Sequence, residues 1–211
     1  MSFVLHLLDG IMAYNQMRMN NKHPKLHHIL RGVLVWSVAW IFTQGIFISD
    51  ILQSAPSNPN VNYMLATIWV LIVLILCVAL LPAYRKKSLP KSKLLWLYLI
   101  PAILLVALPS HYALALNIWV YIPMIVITVF WQSYLTFGML QPYLSKKLAP
   151  GTAAVITALV FLAGHLVFFL NDLLNPQVLV IGLAAFIFAF SRKYTDNIYI
   201  ANAIHMIFYF I

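Results

Sequence analysis

The chain has 211 residues, of which 64% are hydrophobic and only 8% charged, with a formal net charge of +9 and a mean hydropathy of +0.93. Soluble domains carry about 25% charged residues, so a water-soluble globule is excluded and a polytopic membrane protein is expected. The acidic residues are four aspartates, Asp9, Asp50, Asp172 and Asp196, and there is no glutamate.

Residues 1–21 read as an interfacial helix with Phe3, Val4, Leu7, Leu8 and Ile11 on one face. They do not read as a signal peptide, because the basic residues follow the apolar segment and no small-residue cleavage site is visible. His23, His27 and His28 cluster beside Pro24, which is expected to interrupt the helix; with no cysteine nearby, they are assigned to the headgroup level rather than to a metal. Seven apolar runs follow, at 32–52, 64–83, 94–108, 114–135, 152–170, 178–190 and 198–211. Crossing roughly 30 Å of hydrocarbon takes about 20 helical residues, so the third, sixth and seventh runs are short. Pro101 and Pro123 are expected to kink their spans. Gly138, Gly164 and Gly182 are expected to allow close helix approach. Tyr63, Tyr84, Trp96 and Tyr112 suit interfacial belts.

The basic residues give an independent reading of topology. Arg18, Lys22, Lys25 and Arg31 precede the first run, and Arg85, Lys86, Lys87, Lys91 and Lys93 fill the second connection. Lys146 and Lys147 follow the fourth run, and Arg192 and Lys193 follow the sixth, while the alternate connections carry no Lys or Arg. Lys and Arg in short loops gather on the cytoplasmic side, which puts the N-terminus in the cytoplasm and the C-terminus outside. The positive charge is thus a topology signal, and no nucleic-acid partner is expected. Residues 1–31 form a cytoplasmic or interfacial segment and 32–211 a helical transmembrane domain. The one cysteine, Cys77, lies among Ile, Leu and Val and reads as a buried apolar residue. No internal repeat is visible, which argues against a transporter built on inverted repeats.

His165 and His205 lie inside uncharged apolar runs. Hydrocarbon penalises a polar group without a partner, so such residues are functional-site candidates. At ~1.5 Å per helical residue, Gln132 is about 21 Å from Lys146, His165 about 21 Å from Gly151, and His205 about 18 Å from Lys193, which puts all three at one depth. Asn202 precedes His205 by about a turn and Tyr209 follows it by one, suggesting a shared face. Gln132, Ser133, His165, Asn202, His205 and Tyr209 are expected to form one hydrogen-bonding network.

From Trp131 onward the chain carries three short motifs: Gln132-Ser133-Tyr134-Leu135-Thr136-Phe137-Gly138, then Phe161 and His165 four apart, then His205 and Tyr209 four apart. In order and spacing the two histidine motifs resemble those of the CPBP family (CAAX protease and bacteriocin-processing, or Abi, proteins), intramembrane proteases related to CAAX prenyl endopeptidases, while the first motif lacks the family's catalytic residues. The resemblance covers residues 131–211, a CPBP-like core, and implies a helical intramembrane fold with residues of the three motifs meeting at one site. It also implies a glutamate and a histidine activating water for attack on a peptide carbonyl. This chain departs from the pattern at the acids: the family's paired glutamates fall on Gln132 and Ser133, its arginine on Phe137 and its final asparagine on Tyr209. A glutamine amide does not act as that general base, and general-base assistance is typically worth ~10²–10⁴ in rate.

The favoured expectation is a pseudoprotease, a non-catalytic scaffold or binding protein for a membrane protein or peptide, as in bacteriocin immunity. Gln132, Ser133, His165 and His205 would mark its ancestral site and Phe161, Asn202 and Tyr209 its binding residues. The alternative is an endopeptidase with altered chemistry, Ser133 acting as nucleophile with His165 as base, or zinc held by His165 and His205. Zinc sites usually take three or four protein ligands, so no cofactor is the preferred expectation. A proton or solute path is a third, weaker reading. The lipid bilayer, specifically a bacterial plasma membrane, is the location that the resemblance implies.

Overall fold

The computed structural model describes residues 24–47, 58–81, 84, 96–169 and 173–211. The expected interfacial helix at 1–21, His23 and the basic connection at 85–93 lie outside the described residues. The described chain is all α-helical, and seven helices are seen among these residues: α1 (Pro24–Ile41), α2 (Pro59–Leu80), α3 (Leu99–Ala107), α4 (Ile118–Leu144), α5 (Pro150–Leu166), α6 (Pro176–Thr195) and α7 (Tyr199–Phe210). Of these, α2, α4 and α6 are long and apolar enough to cross a membrane, and α5, α7 and the run Trp96–Ser110 around α3 are shorter apolar helices. This is a helical membrane protein.

The three long helices start in the same way. Asn58, Asn117 and Asn175 each accept a hydrogen bond from the backbone N–H two residues on, at 3.0, 2.9 and 2.9 Å. Asparagine is among the best N-caps because its side chain satisfies an otherwise orphaned helix N–H. Pro59 and Pro176 stand directly after their caps, where a missing N–H costs nothing. The C-terminal end of α6 closes on Asp196 in the left-handed region (φ 50), whose N–H returns to the Arg192 carbonyl.

Packing follows side-chain size. The α5 face Ala153, Ala154 and Ala158 meets the α6 face Ala184, Ala185 and Ala189, all buried. Between membrane helices there is little hydrophobic drive, so small residues that admit close van der Waals contact make the interface. α2 packs on α4, and α7 is held among α3, α4 and α6. One core gathers Trp36, Trp40, Trp131, Tyr134, Phe137, Phe161 and Phe188, and a smaller one gathers Leu108, Tyr121, Ile125, Val129, Met206 and Phe210. Leu65, Ile68, Trp69, Ile72, Ile75 and Leu76 of α2 are exposed, as a lipid-facing surface requires.

Within α4, residues Tyr134–Leu140 form a π-helix, and the Gln141 N–H reaches five residues back to the Thr136 carbonyl. Such widened turns are rare and frequent at functional sites. Neighbouring helices tie this one down: Trp36 Nε1 donates to Thr136 Oγ1 at 3.0 Å, and Arg192 Nε donates to the Phe137 carbonyl at 3.2 Å.

Several expectations are corrected. Pro24 is the first residue of α1, a position that needs no N–H, and the residues before it lie outside the described residues. α1 then ends at Ile41, well inside the run expected to be a single span; Thr43 and Gln44 turn inward and are buried. Pro101 lies in the first turn of α3, where no intrahelical bond is lost, so the expected mid-span kink has no basis there. Pro123 does lie inside α4. Gly164 is a true close approach, whereas a Cβ on Gly182 would meet Leu162 at an ordinary 3.7 Å. Arg192, read as a loop residue, belongs to the last turn of α6 and is buried. His28 is half-buried, stacked on Tyr143 with ring centroids 4.1 Å apart, and donates from Nε2 to the Tyr143 carbonyl at 2.8 Å.

The two ends of the bundle differ in charge. The start of α1, the end of α4, the start of α5 and the end of α6 meet through His28–Tyr143 and through Lys193 lying beside Gly151. Lys25, Arg31, Lys146, Lys147, Arg192, Lys193 and Asp196 all belong to this end, and the described residues of the other end carry no Asp, Glu, Lys or Arg.

Candidate binding site

A cavity of about 670 Å³ opens among α4, α5, α6 and α7, with Gln44 and Tyr63 contributed by the turn after α1 and the start of α2. Its size falls in the range of ligand pockets, roughly 300–1,000 Å³. Met124, Ile125, Thr128 and Gln132 come from the first half of α4, His165 from the last turn of α5, Gln177 to Phe188 from the first part of α6, and His205 to Tyr209 from the end of α7. Every one of these stretches lies toward the uncharged end of its helix, so the cavity faces away from the basic end.

Helix geometry assembles the histidines. Four-residue spacing stacks Phe161 and His165 on one face of α5, with ring centroids 4.2 Å apart. His165 Nδ1–H donates to the Phe161 carbonyl at 2.8 Å, and since a carbonyl only accepts, the proton is on Nδ1 and Nε2 is left as an acceptor. His205 reaches across from α7: its ring centroid is 6.4 Å from His165, 5.6 Å from Phe161, 5.2 Å from Phe188 and 5.6 Å from Tyr209. The two histidines therefore sit in an aromatic nest, as their joint depth in the sequence suggests.

Among the candidates, Gln132, Phe161, His165, His205 and Tyr209 line the cavity together, and Ser133 and Asn202 do not. Asn202 Nδ2 donates to Ser133 Oγ at 3.5 Å, and Tyr98 OH donates to Asn202 Oδ1 at 2.5 Å, so these form a separate buried chain linking α3, α7 and α4. The expected single network is split in two. Seven residues bring Asn202 and Tyr209 back to within about 20° of each other around α7 but about 10 Å apart along it, so the two meet different neighbours by depth although each is close to His205. Nor is the cavity group self-satisfied: Gln132 Oε1, His205 Nδ1 and Gln44 Nε2 are buried with no hydrogen-bond partner among the described residues.

Among the described residues, no Asp, Glu, Lys or Arg lines the cavity. Among the described residues the carboxylate present is Asp196, at the opposite end and paired with Arg192. The described residues hold no group of three or more His, Cys, Asp or Glu able to take a metal. Among these described residues His27 and His28 have no third ligand, and His165 and His205 have only each other. Sequence reasoning missed Gln44, Thr128, Gln177 and Phe188 as cavity residues. Only Thr128 stood near a recognised motif, four residues before Gln132; the others lie at helix ends or in apolar text with no pattern to mark them. Phe137, at the position the resemblance gives to arginine, is buried in the core, while its carbonyl receives the Arg192 side chain from α6.

No curated protein and no solved structure matches the chain. A family model does: the one described as type II CAAX prenyl endopeptidase Rce1-like, over residues 113–211. That segment runs from just before α4 to the end of the chain and includes both histidines and most of the cavity wall. From residue 113 to residue 211 this chain is similar to membrane proteins of the Rce1-like, CAAX-protease type.

Proposed function

We propose that the chain is a non-catalytic protein of this type, a membrane scaffold that uses the cavity to hold a peptide or a segment of a partner membrane protein. The observation that carries the reading is the chemistry of the cavity wall. Amide, hydroxyl, imidazole and aromatic groups line it, with no carboxylate among the described residues, and Gln132 stands where the resembled enzyme would keep an acid. Without a general base the rate loss is ~10²–10⁴, whereas a hollow with buried donors and acceptors awaiting partners suits binding of an uncharged hydrogen-bonding chain. Ser133 supports the same reading, since its hydroxyl is engaged with Asn202 and stands off the cavity wall. With the basic end in the cytoplasm of a plasma membrane, the cavity receives its ligand from the extracytoplasmic half.

The test is photo-crosslinking in native membranes. The variant Thr128→p-benzoylphenylalanine puts a probe inside the cavity, and Leu76→p-benzoylphenylalanine puts one on the lipid-facing side of α2. A discrete protein or peptide adduct at 128, absent at 76 and lost when His165→Ala and His205→Ala are added, is the expected result. Crosslinks to lipid alone at both positions would refute the reading. Release of peptide fragments by the purified wild type, abolished by the two histidine changes, would replace it with the protease.

A further inference from the structure

A second hollow, of about 300 Å³, lies at the opposite, basic end of the bundle. We propose that it binds the phosphate of an anionic phospholipid headgroup. Lys146 enters it from the loop after α4, and Arg192 and Lys193 from the last turn of α6, while Pro150 brings in the first turn of α5. That first turn has no acidic residue, and its N-cap, Ala149, makes no side-chain capping bond. The positive pole of a 17-residue helix thus lies open at the hollow.

Lys193 sharpens the argument. Its Nζ lies 3.9 Å from where a Cβ on Gly151 would stand, so an ammonium is set over a positive helix pole. Like charges are juxtaposed there, and an anion between them turns repulsion into attraction on both sides. The one carboxylate in the hollow among the described residues, Asp196, is engaged by Arg192. An independent feature points to the same occupant. Gln141, 4% exposed and on the hollow's wall, donates from Nε2 to the Ala189 carbonyl at 2.8 Å and keeps Oε1 without a hydrogen-bond partner among the described residues. That oxygen is occluded, so a small shift of the Gln141 side chain on binding would let a headgroup hydroxyl supply the missing donor, which favours a phosphodiester bearing hydroxyls, such as phosphatidylglycerol. Lys193 Nζ also lies 4.5 Å from the ring centroid of Tyr194, which is 75% exposed. Exposed tyrosine beside lysine is the composition of the headgroup level, and basic pockets between helices on the cytoplasmic side are where anionic headgroups dock.

The test uses the full chain in phosphatidylcholine nanodiscs with increasing phosphatidylglycerol, following thermal unfolding. Phosphatidylglycerol is expected to raise the melting temperature of the wild type saturably. A charge near the surface is worth about 1 kcal/mol, so Lys146→Gln and Lys193→Gln should each weaken the apparent affinity about fivefold. Lys147→Gln removes an equal charge from the same loop but outside the hollow, and should leave the affinity within twofold. Equal loss in Lys147→Gln, or equal protection in all four proteins, overturns the proposal in favour of diffuse interfacial charge. Inorganic phosphate added in detergent is the second arm. Protection by millimolar phosphate that needs Lys193, with none from phosphatidylglycerol, would keep a phosphate site but overturn the lipid as its source.

Discussion

Gly164 offers the sharpest test of how α1 meets the Rce1-like segment. A Cβ at this position would stand 2.6 Å from Trp36 Cη2 and 3.2 Å from Trp40 Nε1. The first distance is about 0.8 Å short of ordinary van der Waals contact. Neither indole has room to yield: both are 6% exposed, and Trp36 is pinned through Nε1 to Thr136. Overpacking a tight interior typically costs 1–3 kcal/mol, and a rigid ring anchored by a hydrogen bond puts this site at about 3. Alanine recovers about 1 kcal/mol of helix propensity over glycine, which leaves a net loss of about 2 kcal/mol for Gly164→Ala. At roughly 2–4 °C per kcal/mol for a chain of this size, the melting temperature in mild detergent should fall by about 4–8 °C. The control is Trp36→Phe, which removes the ring atom that collides. In that background Gly164→Ala should be neutral or stabilising, giving a coupling of about 2–3 kcal/mol in the double-mutant cycle. A Gly164→Ala protein that melts at or above the wild-type temperature would refute the packing of α1 on α5.

Other consequences follow from the same contacts. Arg192→Met removes a charged donor from the Phe137 carbonyl and should cost about 1.5–3 kcal/mol, whereas Asp196→Asn, at the exposed end of the pair, should cost less than about 1; equal losses in thermal melts would deny Arg192 its role in bracing the π segment. Tyr98→Phe leaves the Asn202 amide oxygen buried without its donor and should destabilise by about 1–3 kcal/mol. Ser133→Ala, which gives up only a 3.5 Å contact, should melt near the wild type and crosslink normally from position 128; loss of crosslinking would return Ser133 to the cavity. In a Cys77→Ser background, Lys147→Cys should react with a membrane-impermeant maleimide only in inverted vesicles and Leu174→Cys only in intact cells. Labelling of both from one side would overturn the assigned topology.

Much of this architecture is written in composition. Long apolar text with its charges gathered at alternate connections dictates membrane helices, because hydrocarbon tolerates neither free backbone groups nor unpaired charge. The caps at Asn58, Asn117 and Asn175 are local chemistry, yet the apolar runs alone put those helix starts at 64, 114 and 178. The spacing of Phe161 with His165, and the common depth of His165 and His205, anticipated the pair that meets at 6.4 Å. Boundaries were less legible where local rules gave way to neighbours. Arg192 looked like a loop charge until α6 carried on one turn further and delivered it to the Phe137 carbonyl. Gln44 ended an apolar run without a motif, and only the inward turn after α1 makes it part of the cavity.

Sequence by itself determined the class of molecule, the sign of its two ends and the absence of glutamate from any site, since these are sums and patterns along one chain. Tertiary structure alone decided that Gln132 faces the cavity while Ser133 faces Asn202, that Trp36 closes over Gly164, and that a lysine overhangs the uncapped start of α5. Adjacent residues on a helix point about 100° apart, so which of two neighbours meets a hollow depends on how the helix is rotated. That rotation is set by the partners packed around it, and no short motif records them.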